Sequence, residues 1–154
     1  MMAYAEKTNV QFEKSIAEII GLLRKNGADR IGQMEEKLRF TIQFFAHDRL
    51  IRFRVLFPLI EDMPVVDGRN SRLTNAQRLD RLEQAKRQRG RALMLVIKAK
   101  LESVESQVET FEEAFLANVV LSDGMTMYER VKEPIAIEYK TGEPSTMLLT
   151  HGGD

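Results

Sequence analysis

No cysteine occurs among the 154 residues, which excludes a disulfide framework, a thiolate metal site and a cysteine nucleophile. Histidine is scarce as well, with only His47 and His151. Neither has a second histidine or a carboxylate at the spacing of a metal-binding helix, and triad chemistry would have to use one of these two. A nucleophile elbow and a glycine-rich phosphate loop are both missing. Net charge is absent too, 23 basic residues standing against 23 acidic ones. That argues against coating a polyanion by bulk charge, while a local basic patch stays open. The longest apolar run, residues 92–97, falls far short of the ~20 residues of a membrane span. Residues 1–14 hold no apolar run fit for a signal peptide. There is no internal repeat and no low-complexity segment. The expectation is a cytoplasmic protein that makes no use of a membrane.

What is present is an ordinary globular composition, 44% apolar, enough for one core in a chain of this size. We expect a single domain over 1–154, with its core in 9–116 and a C-terminal element and tail in 117–154. The organising stretch is 74–116. Thr74 followed by Gln77 is a capping-box start. Leu79, Leu82, Leu93, Ile97, Leu101, Val104, Val108, Phe111 and Phe115 then recur at steps that put them on one helical face. The expected helix runs unbroken, or bent once at Gly90, to Leu116.

Upstream, Phe12, Ile16, Ile19, Ile20 and Leu23 mark an amphipathic helix, capped by Thr8 or Asn9 after a loose end at 1–8 and stopped at Asn26-Gly27. The period then changes to two. Phe40, Ile42 and Phe44 alternate with Arg39, Thr41 and Gln43; Ile51, Phe53 and Val55 alternate with Arg52 and Arg54. A turn centred on His47-Asp48 pairs Phe44 with Ile51, Ile42 with Phe53 and Phe40 with Val55. One face of the hairpin is then apolar and the other carries Arg39, Arg52 and Arg54. A weaker strand near 30–34 precedes it, and Pro58 ends the last strand. Thr126 with Glu129 starts a short last helix that Pro134 breaks or restarts. The tail from Thr141 packs through Met147, Leu148 and Leu149 or hangs free. The fold class is α+β: N-terminal helix, three-stranded antiparallel sheet, long helix, short C-terminal helical element.

Several stretches resemble a family of small phage and prophage proteins: Tyr4-Ala5-Glu6-Lys7-Thr8, Glu13-Lys14-Ser15, Asn26-Gly27-Ala28, residues 91–102, Phe111-Glu112-Glu113-Ala114-Phe115-Leu116, Tyr139, Thr141-Gly142 and Leu148-Leu149. The resemblance covers most of the chain and implies a viral or prophage origin, hence a host-cell cytoplasm. It carries no catalytic residue, since no activity attaches to the family. The element order alone is similar to the double-stranded-RNA-binding domain. Residues 59–72 form too long a connection for that domain, and its loop motif is missing.

Charge supplies the functional candidates. Arg78, Arg81, Lys86, Arg87, Arg89 and Arg91 crowd the first half of the long helix, with Arg39, Arg52 and Arg54 on the outward sheet face. Arginines without matching acids suit a polyanion, because guanidinium pairs bidentately with phosphate. The bland alternative is a solubilising surface. Glu102, Glu105, Glu109, Glu112 and Glu113 hold the second half as a stripe beside the apolar face. They form a solvated surface, or meet the basic half of a second copy in an antiparallel homodimer. Glu61, Asp62 and Asp67 in the 59–72 loop would suit Mg²⁺ in a nuclease, or simply a solvated turn. The expected function is a non-catalytic nucleic-acid-binding accessory protein that contacts phosphates through the basic helix, with no cofactor and no metal. The alternative is a dimeric interaction module acting on a host protein, with a metal-dependent nuclease third.

Overall fold

His47 and Asp48 both take left-handed backbone angles, φ 50° and 60°, the conformation that closes a two-residue hairpin in register with the strand twist. Around this turn β2 (Arg39–Ala46) and β3 (Arg49–Leu56) pair as the alternation requires: Phe44 opposite Ile51, Ile42 opposite Phe53, Phe40 opposite Val55, with Gln43–Arg52 and Thr41–Arg54 on the other face. Phe40, Ile42, Phe44, Ile51 and Phe53 are buried and Val55 is half-buried. β1 (Asp29–Glu35) adds antiparallel to β2, giving the order β1-β2-β3.

The computed structural model describes residues 10–148. The expected cap at Thr8 or Asn9, the loose end at 1–8, Leu149 and His151 lie outside them. Within them the chain is α+β: α1 (Phe12–Lys25), the sheet, α2 (Asn75–Glu105), α3 (Phe111–Phe115) and α4 (Met127–Thr141). α1 begins after Gln11, which gives no side-chain cap, and Gly27 stops it at φ 84°. Its Phe12, Ile16, Ile19 and Leu23 share one core with the inner sheet face and with Leu93, Met94, Ile97 and Leu101 of α2.

α2 continues through Gly90 without a break. The glycine admits Phe12, whose ring would lie 2.7 Å from a Cβ placed there. That ring stands edge-on to Phe40 and Phe57 at 5.1 and 5.2 Å. A close approach is what the glycine serves.

The long helix is shorter than its apolar period suggests. α2 ends at Glu105, and at Gln107 the backbone turns left-handed, φ 60°. The amides of Val108 and Glu109 fold back to the Ser103 carbonyl at 2.9 and 3.3 Å. Thr110 and Glu113 then form a second capping box that starts α3. The reversal returns Phe111 to stack on His47 at 4.3 Å and sets Phe115 edge-on to Phe44 and Phe53. A straight helix would carry both rings away from the sheet. Val108, expected on the stripe, is 77% exposed at the bend, and Leu79 is exposed on the first half.

Pro134, expected at a helix break, lies inside α4 and is the buried residue of that helix. The ends are set instead by the Thr126 cap and by Gly142 at φ 72°. Of the tail, Met147 is exposed and Leu148 half-buried. No helix among the described residues is long and apolar enough to cross a membrane.

Candidate nucleic-acid interface

The two basic regions lie on opposite sides of the sheet. α2 covers the inner face, whereas Arg39, Arg52 and Arg54 project from the outer one. They meet at a single corner. The Arg89 guanidinium donates to the carbonyl of Leu56, and Leu56 is the cross-strand partner of Arg39.

Most of the basic side chains on α2 are engaged within the chain. Arg78 reaches the Ile60 and Met63 carbonyls at 2.9 and 3.3 Å, tying the 59–72 loop to the helix. Arg87 bonds Gln84 one turn back, at 2.9 Å. Arg91 pairs with Glu18 of α1 at 2.9 Å. Lys86 lies 3.8 Å from Glu83 and over the Phe57 ring. Arg81 alone of this set is exposed with no partner among the described residues. Helical spacing put these residues on neighbouring faces. It could not reveal that a loop, a strand end and α1 had already claimed them.

The acidic series breaks up for the same reason that α2 stops. Glu102 accepts from Ser106 and Glu109 from Ser103. Glu112 takes Arg49 at 3.4 Å. Glu113 closes the α3 cap, and the Thr110 amide and hydroxyl hold its carboxyl below the usual range. A continuous stripe across 102–113 does not form. In the 59–72 loop, Asp62 accepts from the Leu59 amide and Asp67 from the amides of Arg69 and Ser71. These carboxylates cap backbone N–H groups. Among the described residues no three His, Cys, Asp or Glu side chains are grouped to hold a metal ion.

The arginines of the outer sheet face are engaged within the chain as well, but they line cavities. Arg39, Arg52 and Arg54 each line both of two cavities, of about 380 and 390 Å³, on the outer sheet face. The first is also lined by Gly32, Met34 and Glu36, the second by Leu56, Asn118, Tyr128 and Glu129. The C-terminal arm supplies the wall of the second cavity. The Val120 amide donates to Leu50 O at 2.8 Å and the Asn118 amide group to Arg52 O at 3.0 Å. This tacks the arm along the outer edge of β3. Arg52 in turn donates to the Gly124 carbonyl at 2.8 Å and to the Gln43 side chain at 3.3 Å. Arg39 pairs with Glu36 and Arg54 with Glu129. All three guanidiniums stay partly open to solvent.

Tyr128 is the wall residue that sequence reasoning missed. It sits in the first turn of α4, next to Glu129, and is 54% exposed. Leu56, lining the same cavity, is 66% exposed. The Thr126–Glu129 signal located the helix start. Nothing in the sequence indicated that this start abuts the arginine face.

No family model, no curated protein and no solved structure matches the chain.

Proposed function

We propose that this is a non-catalytic nucleic-acid-binding protein that holds the phosphate backbone on the outer face of its sheet. One observation carries the reading: three arginines line both cavities of the outer face, which we take together as one trough, and an exposed tyrosine lines the second. Arg52 and Arg54 stand two residues apart on one strand, roughly 7 Å at 3.4 Å per residue. An extended phosphodiester chain can follow that spacing. The basic helix becomes the secondary surface, through Arg81. An accessory role in a phage-infected host, the expectation from the sequence, is part of this proposal.

Fluorescence polarisation with DNA and RNA, single- and double-stranded, at low salt tests this. Binding by at least one of the four, lost in the R52Q/R54Q variant and largely kept in R81Q, is the expected result. No binding to any of them ends this reading.

A second reading rests on its own observation. α4 buries Pro134, while Ile135 and Tyr139, one turn apart on the same face, are both exposed, and an exposed tyrosine beside an aliphatic side chain suits an interface. This supports an interaction module, either a homodimer or a partner of a host protein. Light scattering across a concentration series tests the homodimer.

A further inference from the structure

We propose that the ligand of the outer trough is single-stranded, selected by a base that stacks on Tyr128 in the cavity it shares with Leu56 while its phosphates lie on Arg52 and Arg54. This rests on the phosphate-binding reading above and names the ligand class.

The argument begins with what the chain leaves uncovered. A tyrosine and a leucine that line one cavity, more than half exposed, bury little apolar surface within their own fold. Both are nonetheless held in place. Leu56 ends β3, and Arg89 fixes its carbonyl from behind the sheet. Tyr128 follows the buried Thr126, whose hydroxyl accepts the Glu129 amide at 3.2 Å. Its neighbour Glu129 reaches Arg54 at 3.0 Å. The ring is thereby set one residue from a guanidinium contact. A flat aromatic face beside a backbone-binding cation is what a nucleotide with a free base requires.

The site also discriminates by what a ligand can offer the ring. Its arginines rise from the outer sheet face, with Met34 and Glu36 lining the first cavity and Tyr128 the second. A duplex can bring phosphates to the arginines, but its bases are turned inward and paired, so none is free to stack on Tyr128. A single strand can supply both, and base–aromatic stacking tolerates any sequence. Three arginines against Glu36 and Glu129 leave the lining net positive, which supplies the charge complementarity.

The test compares single-stranded and duplex oligonucleotides of the same sequence, and an oligoglutamate peptide, on the full chain. Wild type should prefer the single strand. Y128A should weaken single-strand binding about tenfold with little effect on duplex, and Y128F should bind like wild type. Unchanged circular dichroism and melting are expected, because the side chain is exposed. Equal binding of single strand and duplex, or Y128A matching wild type while R52Q/R54Q loses affinity, would overturn this inference and leave the phosphate reading standing. Failure of every oligonucleotide removes both, and binding of the oligoglutamate alone would assign the trough to an acidic peptide.

Discussion

The Arg54 guanidinium meets the Glu129 carboxylate at 3.0 Å across 75 residues of sequence, joining the strand face to the first turn of α4. In the proposed site this carboxylate occupies the place of a phosphate oxygen. An incoming backbone must displace it. E129Q keeps the helix start, since Gln serves at the third helical position as Glu does. Loss of an exposed pair costs less than about 1 kcal/mol. Oligonucleotide affinity is therefore expected to rise several-fold in E129Q and to fall in R54Q. Polarisation titrations of the two variants side by side check this. Weaker binding by E129Q would mean that the carboxylate is not a competitor.

With three phosphate contacts on a single strand, log affinity should fall against log salt with a slope of about −2. Each of R39Q, R52Q and R54Q should reduce that slope by about 0.7. A slope unchanged in all three variants would place the contacts elsewhere.

The hairpin core is tested by truncation. Ile42 is fully buried and faces Phe53 across the strands. I42A should cost about 2–5 kcal/mol and F53A about 3–5 kcal/mol, from lost transfer energy plus the cavity left behind. R52Q, on the opposite face of the same strand, should cost less than about 1 kcal/mol. Urea denaturation of the three variants measures this, and similar losses in all of them would contradict the two-faced sheet.

Alanine at position 90 sets two effects against each other. Helix propensity favours Ala over Gly by about 1 kcal/mol. The added Cβ, however, meets the Phe12 ring at 2.7 Å, and that ring is held between Phe40 and Phe57. Overpacking typically costs about 1–3 kcal/mol, so G90A should be net destabilising. The F12L/G90A double variant should lose less than the sum of the two single changes. Simple additivity in thermal melts would rule out the contact.

Asp123 provides a pH signature. The Met125 amide, and then the Arg130 guanidinium, hold its carboxyl below the ordinary range. A carboxylate whose folded value is depressed adds stability above its unfolded value. That contribution fades as pH falls through the folded one. D123N should therefore melt below wild type at neutral pH, and the gap should close in acid as Asp123 protonates. A gap that persists at low pH would point to a different role for the side chain.

The local pattern alone was enough for the α+β order, the hairpin with its register, the Thr74, Thr126 and Asn26-Gly27 boundaries and the outward direction of Arg39, Arg52 and Arg54. Period, capping chemistry and turn residues act within a few positions, so they can be read along the chain. The end of α2 was misread because Val108, Phe111 and Phe115 continue a helical period that the Thr110–Glu113 cap interrupts. What decides there is the sheet, which offers His47, Phe44 and Phe53 to rings that a straight helix would carry away. Tertiary structure also settled which charges are spent. Arg78, Arg89 and Arg91 find carbonyls and a carboxylate 15 to 73 residues away, and no helical wheel contains those partners. Likewise Tyr128 joins the arginine face because the arm returns along β3 through Val120 and Asn118. A site assembled from segments this far apart in sequence exists only once the chain has closed on itself.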